Sequence, residues 1–238
     1  MKTVPVVSIV HATVLWALVA AAPSGPSGGH HNDIVMSQKV RIVALGDSTT
    51  AGTPAWKSPI EAPPNGRGDQ TSQYAFWLMQ AHPEWEVLNR GVDGERSDQI
   101  AARFDRDVIA VQPRAVVIIA GVNDVYQGRD VEHVTQVLDR MYARAAGAGI
   151  LVVAGSIIPY NTATAEQNAK MHRINDWIRE RSMPGSKTPV MFVDTRAAVA
   201  AQGKPDRLIE SPDELHPTAR GYRLMADAIR TALETILR

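Results

Sequence analysis

The sequence contains no cysteine, and this absence removes several kinds of chemistry at once. Without thiols the chain has no disulfide, no thiolate nucleophile and no cysteine-ligated metal site. It also lacks an excess of charge of either sign, because 25 basic residues balance 25 acidic residues. Binding to nucleic acid or to an anionic membrane surface requires clustered basic side chains, so neither partner is expected.

Long hydrophobic runs are also scarce, and the one near the amino terminus is short for a membrane span. Lys2 precedes an interrupted apolar run over Val4–Ala22, and a Pro-, Ser-, Gly- and His-rich stretch follows it. This layout predicts a secretory signal peptide with a flexible segment over residues 1–35, one domain over residues 36–238, and an extracytoplasmic location. No stable membrane span is expected. Translation from Met36, which would give a cytoplasmic protein, is the alternative.

Strand-like and helix-like segments alternate along the rest of the chain, and 45% of the full sequence is hydrophobic. Continuous apolar runs are typical of parallel strands covered on both faces, and helical spacing of apolar residues marks the segments between them. The predicted strands are Val40–Leu45, Trp85–Leu88, Ala115–Ala120, Ile150–Ala154 and Val190–Val193, and the predicted helices are Ser72–Ala81, Ser97–Val111 (broken), Val131–Ala148, Glu166–Arg181 and Pro217–Leu237. The alternation predicts an α/β fold. We expect a three-layer α/β/α sandwich around a five-stranded parallel sheet, in the flavodoxin-like order 2-1-3-4-5.

One segment does not fit this alternation. Residues 51–71 contain four prolines and three glycines and show no helical or strand periodicity. An irregular insertion of this length in a compact domain is often functional. We predict a loop over the functional site, with a plain surface excursion as the alternative.

Polar residues follow three of the predicted strands at their carboxyl ends, where ligands bind to open parallel sheets. They are Gly46–Ser48 after the first strand, Asn89–Gly94 after the second and Gly121–Asp124 after the third. In the predicted strand order these turns are neighbours. The last helix would pack beside the first strand and bring Asp213 and His216 to the same edge. A serine, an imidazole and a carboxylate are the groups that turn a hydroxyl into a nucleophile.

Together these motifs resemble the four sequence blocks of the SGNH hydrolases, also called GDSL-type esterases and lipases. The blocks are Gly46-Asp47-Ser48, a glycine after the second strand, Gly121-x-Asn123-Asp124 and Asp213-x-x-His216. The resemblance extends from Val40 to Leu237. It implies a serine hydrolase of small carboxylic esters or thioesters, of esterase, lysophospholipase or acyl-thioesterase type. It also implies a monomer that needs neither a cofactor nor a metal.

The resemblance further implies roles for individual residues. Ser48 would be the nucleophile, His216 the general base and then the general acid, and Asp213 the carboxylate that orients the imidazole. The oxyanion hole would comprise the Ser48 amide, the Gly94 amide and the Asn123 side chain.

Two positions depart from the family pattern or leave it ambiguous. Thr49 follows the serine, where the name-giving motif of the family has leucine. The second block offers both Gly91 and Gly94 as amide donors. We choose Gly94, because the run after it leads into a predicted helix, and Gly91 stays open as an alternative.

Each motif alone also has a plainer interpretation. Gly-Asp-Ser fits an ordinary turn or a phosphate cradle. Asp130-x-x-His133 repeats the spacing of the carboxylate–imidazole pair, yet Asp130 resembles a helix N-cap and His133 a residue on a polar face.

Two other functions therefore stay open. One is a metal-dependent phosphoesterase, and the other is a non-catalytic small-ligand binder. The candidate ligands of the first are Asp47, Asp124, Asp213 and His216.

The substrate is the least determined feature. Trp56, Trp77 and Tyr160 are candidates to line an acyl or sugar site, although a helical tryptophan such as Trp77 is more often a core residue. Lysophospholipids, acyl thioesters, aryl esters and acetylated sugars all remain open.

Overall fold

A computed structural model describes residues 39–186 and 188–238 of the chain. The predicted signal segment, residues 1–35, lies outside the described residues. Five parallel strands form the central sheet in the order β4-β1-β5-β6-β7, which confirms the predicted order 2-1-3-4-5. These strands are β1 (Val40–Gly46), β4 (Trp85–Gly91), β5 (Ala115–Ile119), β6 (Leu151–Gly155) and β7 (Met191–Val193). The minor strands are β2 (Trp56–Lys57), β3 (Arg67–Gly68), β8 (Ala200–Ala201) and β9 (Lys204–Leu208).

Helices cover both faces of the sheet. They are α1 (Ser48–Ala51), α2 (Tyr74–Ala81), α3 (Ser97–Ala102), α4 (Phe104–Asp107), α5 (Val122–Tyr126), α6 (Val131–Gly147), α7 (Ala165–Glu180), α8 (Thr195–Val199) and α9 (Ala219–Ile236). Successive residues of a strand point to opposite faces, so Val43 and Leu45 enter the core under α3, α4, α6 and α7. Ile42 and Ala44 enter the core under α2 and α9. The predicted three-layer sandwich is therefore confirmed.

The strand register brings three chain segments to one edge. Gly46 at the end of β1 pairs with Gly91 of β4 on one side and with Ile119 of β5 on the other. The turns that follow these three strands consequently begin at the same height. On the α9 side, the hydroxyl of Tyr222 donates to the carbonyl of Thr53 at 2.8 Å, which fixes α9 beside the turn after β1.

Two predicted helices differ from the observed ones at positions that matter for the site. The segment predicted as one broken helix from Ser97 to Val111 separates into α3, α4 and a short 3-10 turn, because Arg103 has non-helical dihedral angles and its side chain turns inward. The last helix begins at Ala219 rather than at Pro217. Thr218 is its N-cap residue and is extended, so Pro217 belongs to the preceding loop.

The proline-rich segment over residues 51–71 packs beside β4 as an ordered excursion with a small antiparallel hairpin, β2–β3. The buried Ser58 hydroxyl donates to the Gly91 carbonyl at 2.6 Å. Glu61 accepts from the amides of Ser58 and Asp93 at 3.1 and 2.9 Å. These contacts hold the segment against the edge of the sheet, and within the described residues Thr53 is its one member that lines the cavity beside Ser48, so most of the segment fits the alternative of a surface excursion.

No helix within residues 39–186 and 188–238 combines the length and the apolar character needed to cross a bilayer.

Candidate active site

Ser48 lies at the first position of α1, directly after β1. The Asp47 side chain caps this short helix by accepting a hydrogen bond from the Thr49 amide at 2.9 Å. Gly46 is required for the close approach of the neighbouring strand, because a β-carbon there would overlap with the Ile119 carbonyl oxygen. The turn therefore holds the Ser48 side chain at the carboxyl edge of the sheet, where it lines a cavity.

The structure brings together the three side chains that the resemblance selects. The Nε2 atom of His216 lies 3.0 Å from the Ser48 hydroxyl oxygen, and its Nδ1 atom lies 2.7 Å from the Asp213 carboxylate. The other Asp213 oxygen accepts from the amides of Leu215 and His216 at 3.0 and 2.8 Å. A serine, an imidazole and a carboxylate in this order can activate the hydroxyl for attack on a carbonyl carbon.

The loop that carries Asp213 and His216 is held in an unusual conformation. Glu214 has a φ of 67°, in the left-handed region that non-glycine residues rarely adopt. Its carbonyl accepts from the Asn161 amide at 2.7 Å, and the Asn161 side chain accepts from the Leu208 amide at 2.8 Å. Contacts from the segment after β6 therefore fix the backbone between the carboxylate and the imidazole.

Asp213 keeps its charge in this setting. Partial burial raises the pKa of its carboxyl, but hydrogen bonds from the His216 ring and from the amides of His216 and Leu215 outweigh burial and lower the pKa below its ordinary value. An ionised carboxylate at Nδ1 favours the tautomer with a proton on that nitrogen. The Nε2 atom is then the acceptor for the Ser48 proton.

Gly94 and Asn123 line the same cavity as Ser48. Gly94 has a φ of 72°, and within the described residues its amide has no hydrogen-bond acceptor. The Asn123 side-chain nitrogen donates to the Glu95 carbonyl at 3.0 Å, which orients the carboxamide and leaves its second N–H available. Together with the Ser48 amide, these groups are candidate donors to an oxyanion in the cavity.

Gly91, the alternative oxyanion donor, has a structural role instead. Its amide donates to the Asn89 side chain at 2.9 Å, and a β-carbon on it would overlap with the Ala51 amide. Since this amide already has a partner, the geometry favours Gly94 over Gly91.

The cavity has a volume of about 260 Å³ and one largely apolar wall. The wall is formed by Val122, Tyr126, Ile158, Tyr160 and Leu215. Tyr126 is 60% exposed at the rim, and its ring packs edge-on against Tyr160 with the centroids 6.1 Å apart. The opposite side is more polar and includes Thr53 and Asp93, which are hydrogen-bonded to each other.

The aromatic candidates from the sequence divide between the cavity and the core. Tyr160 lines the cavity. Trp56 is buried, Trp77 donates to the Thr71 carbonyl at 2.8 Å, and neither lines the cavity within the described residues. Sequence reasoning missed Tyr126, although its position three residues after Asn123 places both side chains on the same face of α5.

The residues of the alternative metal site have other partners. Asp124 is fully buried and accepts from the amide and hydroxyl of Ser97 at 2.7 and 2.8 Å. In residues 39–186 and 188–238, no group of three or more His, Asp or Glu side chains has an arrangement that could hold a metal ion. The second Asp-x-x-His pair is remote from the cavity. Asp130 is the N-cap residue of α6, and His133 lies on that helix.

Asp47 is a buried carboxyl, and one of its oxygens has no hydrogen-bond partner among the described residues. Burial raises its pKa from 3.8 to about 7, the Thr49 hydrogen bond opposes this rise, and the charges of Asp124 and Asp93 add to it. Because the folded protein holds the Asp47 proton more tightly than the unfolded chain does, the protonated carboxyl favours the folded state. This contribution is fully present below pH 4 and is lost as the pH rises through 7.

We therefore expect Asp47→Asn to gain stability relative to the wild type as the pH increases. Asparagine cannot ionise, so the difference in the free energy of unfolding between variant and wild type should rise by up to about 4 kcal/mol between pH 4 and pH 8. Urea titrations at both pH values measure it. The exposed Asp69, which accepts a hydrogen bond from Thr71 in the same way, provides the control Asp69→Asn. A difference for Asp47→Asn that does not change with pH would contradict the assignment.

The parallel sheet, the contacts among Ser48, His216 and Asp213, and the cavity beside them are features expected of a hydrolase with an α/β/α sandwich fold. The chain belongs to the GDSL-like lipase/acylhydrolase family, whose model matches residues 44–224. An acetylxylan esterase from Geobacillus stearothermophilus is 30% identical over 169 residues, which cover 65% of this chain and 76% of that protein. The chain is accordingly a carboxylic ester hydrolase.

Solved structures of other family members share the fold. A GDSL-like lipase from Bacteroides thetaiotaomicron superposes with a TM-score of 0.64 at 24% identity, over 82% of this chain and 88% of that one. A catalytic mutant of an acetylxylan esterase from Geobacillus stearothermophilus gives a TM-score of 0.63 at 22% identity, over 82% of this chain and 93% of that one. At these identities the likeness concerns the fold alone.

Proposed function

We propose that the chain is a serine esterase that removes short acyl groups, acetyl foremost, from neutral alcohols such as sugar hydroxyls. The observation that carries the mechanism is the contact of 3.0 Å between the Ser48 hydroxyl and His216 Nε2, with Asp213 on the far side of the ring. A small ester is the substrate class of the family to which the chain belongs.

In the acylation half of the reaction, the Ser48 oxygen attacks the acyl carbon while its proton passes to His216 Nε2. The carbonyl oxygen becomes an oxyanion between the amides of Ser48 and Gly94 and the side chain of Asn123. As the tetrahedral intermediate collapses, the C–O bond to the alcohol breaks and His216 returns the proton to the departing oxygen. Asp213 stabilises the imidazolium formed in between.

Deacylation repeats the same steps with water. Water attacks the acyl carbon of the Ser48 ester and gives a proton to His216 Nε2, and a second oxyanion forms among the same donors. The bond between the acyl carbon and the Ser48 oxygen then breaks, and His216 returns the proton to Ser48. A free carboxylic acid leaves, and the enzyme regains its starting state.

The substrate proposal rests on the shape and charge of the cavity and on one relative. A volume of about 260 Å³ favours a small acyl group over a long chain. Asp93 contributes a carboxylate, and none of the cavity-lining residues within the described part of the chain is Lys or Arg, which favours neutral over anionic substrates. The curated relative is named an acetylxylan esterase, which supports acetyl groups on a carbohydrate.

A chain-length series tests the substrate. On p-nitrophenyl acetate, butyrate, octanoate and palmitate we expect kcat/KM to fall by about tenfold or more between acetate and octanoate, because added methylenes exceed the cavity. Release of acetate from acetylated xylo-oligosaccharides should accompany this preference. The Ser48→Ala protein, purified in the same way, measures contaminating esterase activity. A kcat/KM that increases with chain length would assign the chain to lipid substrates instead.

A further inference from the structure

A buried guanidinium lies behind the candidate oxyanion hole. Arg103 stands at the break between α3 and α4, and only 8% of its side chain is exposed. Its Nη1 atom donates to Asp107 at 2.7 Å, its Nε atom to the Glu95 carboxylate at 2.7 Å, and its Nη2 atom to the Gly46 carbonyl at 2.9 Å. One side chain therefore connects α4, the turn after β4 and the end of β1.

Two of these contacts, those with Gly46 and Glu95, lead to candidate donors of the oxyanion hole. Gly46 is the last residue of β1 and precedes Ser48 by two residues. Glu95 directly follows Gly94, and the Glu95 carbonyl accepts from the Asn123 side chain at 3.0 Å. Within the described residues Arg103 is not among those that line the cavity, so it acts through these neighbours.

We propose that Arg103 is a positioning residue that sets the distances among the three oxyanion donors, so that its loss weakens binding of the tetrahedral intermediate more than binding of the ester. This proposal rests on the proposed function. Oxyanion donors act at 2.7–3.1 Å from the oxyanion, and a misplacement of about 1 Å can reduce the rate about 100-fold. A guanidinium presents its donors in a rigid planar fork, which can hold a carbonyl and two carboxylates at fixed positions.

The charged side chains around Arg103 indicate that its loss would mainly affect the turn that contains Gly94 and Glu95. Asp107 also accepts hydrogen bonds from Arg106 at 2.7 and 3.0 Å, so it would remain paired with a cation if Arg103 were replaced. Burial raises the pKa of Asp107, yet the two arginines together hold it below its ordinary value. Arg103 is the cation paired with Glu95 among the described residues. Removing Arg103 therefore leaves a largely buried carboxylate uncompensated in the turn that contains Gly94.

The test compares Arg103→Lys with Arg106→Met. Lysine keeps the charge but cannot bridge Gly46, Glu95 and Asp107 with one ammonium group. For Arg103→Lys we expect kcat on p-nitrophenyl acetate to fall about 10- to 50-fold with KM within about twofold of the wild type. The affinity for a boronic acid that forms a tetrahedral adduct should fall in parallel with kcat/KM. The Arg106 side chain is 66% exposed and, among the described residues, pairs with Asp107, so Arg106→Met should match the wild type.

Active-site titration with a fluorophosphonate separates positioning from loss of folded enzyme. All rates are expressed per titrated site, so a misfolded fraction does not count. If Arg103→Lys does not fold, Glu95→Gln provides the second variant, because glutamine retains an acceptor oxygen without the charge. It should lower kcat about three- to tenfold with the same small effect on KM.

Two outcomes would overturn the positioning role. The first is a kcat per titrated site that equals that of the wild type in both variants. The second is a loss confined to KM. Failure of the proposed function looks different, since the wild type itself would then not be titrated at Ser48. Addition of methylguanidinium to Arg103→Gly gives a further check, because we expect partial recovery of kcat without a change in KM.

Discussion

Replacing Ser48 with alanine is expected to lower kcat for ester hydrolysis by about 10⁴-fold or more and to leave the protein folded. The substitution removes the oxygen that His216 Nε2 contacts at 3.0 Å, and the remaining donors cannot form an acyl-enzyme. The substitution removes one hydroxyl from the lining of a cavity and leaves the backbone of α1 unchanged, so it should cost little stability. Steady-state kinetics on p-nitrophenyl acetate, together with circular dichroism, measure both effects.

A control and a double variant sharpen this result. Ser182→Ala changes an exposed serine that contacts the Arg179 carbonyl, and it should retain wild-type kcat. Ser48→Ala combined with His216→Ala should be no slower than Ser48→Ala alone, because the two residues act as one unit. Multiplicative losses in the double variant would contradict proton transfer between Ser48 and His216. Substantial activity of Ser48→Ala would remove the nucleophile assignment altogether.

Replacing Asn123 with alanine should lower kcat by about 10²–10³-fold with little change in KM. The Asn123 carboxamide is held by the Glu95 carbonyl at 3.0 Å, and in the proposed mechanism its second N–H donates to charge that develops only in the transition state. An interaction made only in the transition state lowers kcat and kcat/KM equally. Kinetics at saturating and at low ester concentration distinguish this pattern from weaker substrate binding.

The isosteric variant Asn123→Asp provides the control for side-chain volume. It preserves the shape of the carboxamide but replaces the donor with a negative charge near the developing oxyanion. We therefore expect a lower kcat than for Asn123→Ala. If aspartate restored activity relative to alanine, the role of Asn123 would be packing of α5 and not hydrogen-bond donation.

Sequence reasoning was most successful where hydrophobic periodicity and strand order determine the geometry. Apolar runs predicted the five sheet strands, and the order 2-1-3-4-5 is confirmed. Parallel strands in register bring the turns at Gly46 and Gly91 to one edge, so the convergence of Ser48, Asn123 and His216 could be anticipated without coordinates. The run after Gly94 led us to choose it as a donor, but motif spacing could not exclude Gly91, because that step depends on which amide is already bonded.

The features that sequence reasoning missed depend on long-range side-chain contacts. The hydrogen bonds of Ser58 and Glu61 decide where residues 51–71 pack, and turn-forming residues carry no information about such partners. Arg103 looked like a residue within a broken helical segment. The role proposed for it depends on three acceptors that are up to 57 positions distant in the chain. Tyr126 could have been found from its spacing to Asn123 on α5.

Reaction of the wild-type protein with a fluorophosphonate, followed by peptide mass spectrometry, tests the central claim most directly. The reagent phosphonylates only an activated serine. We expect one adduct per chain on the peptide that contains Ser48, and its formation should be slowed by His216→Ala and abolished by Ser48→Ala. A fully folded protein that hydrolyses esters while Ser48 remains unmodified, or that carries the adduct on another residue, would contradict the account.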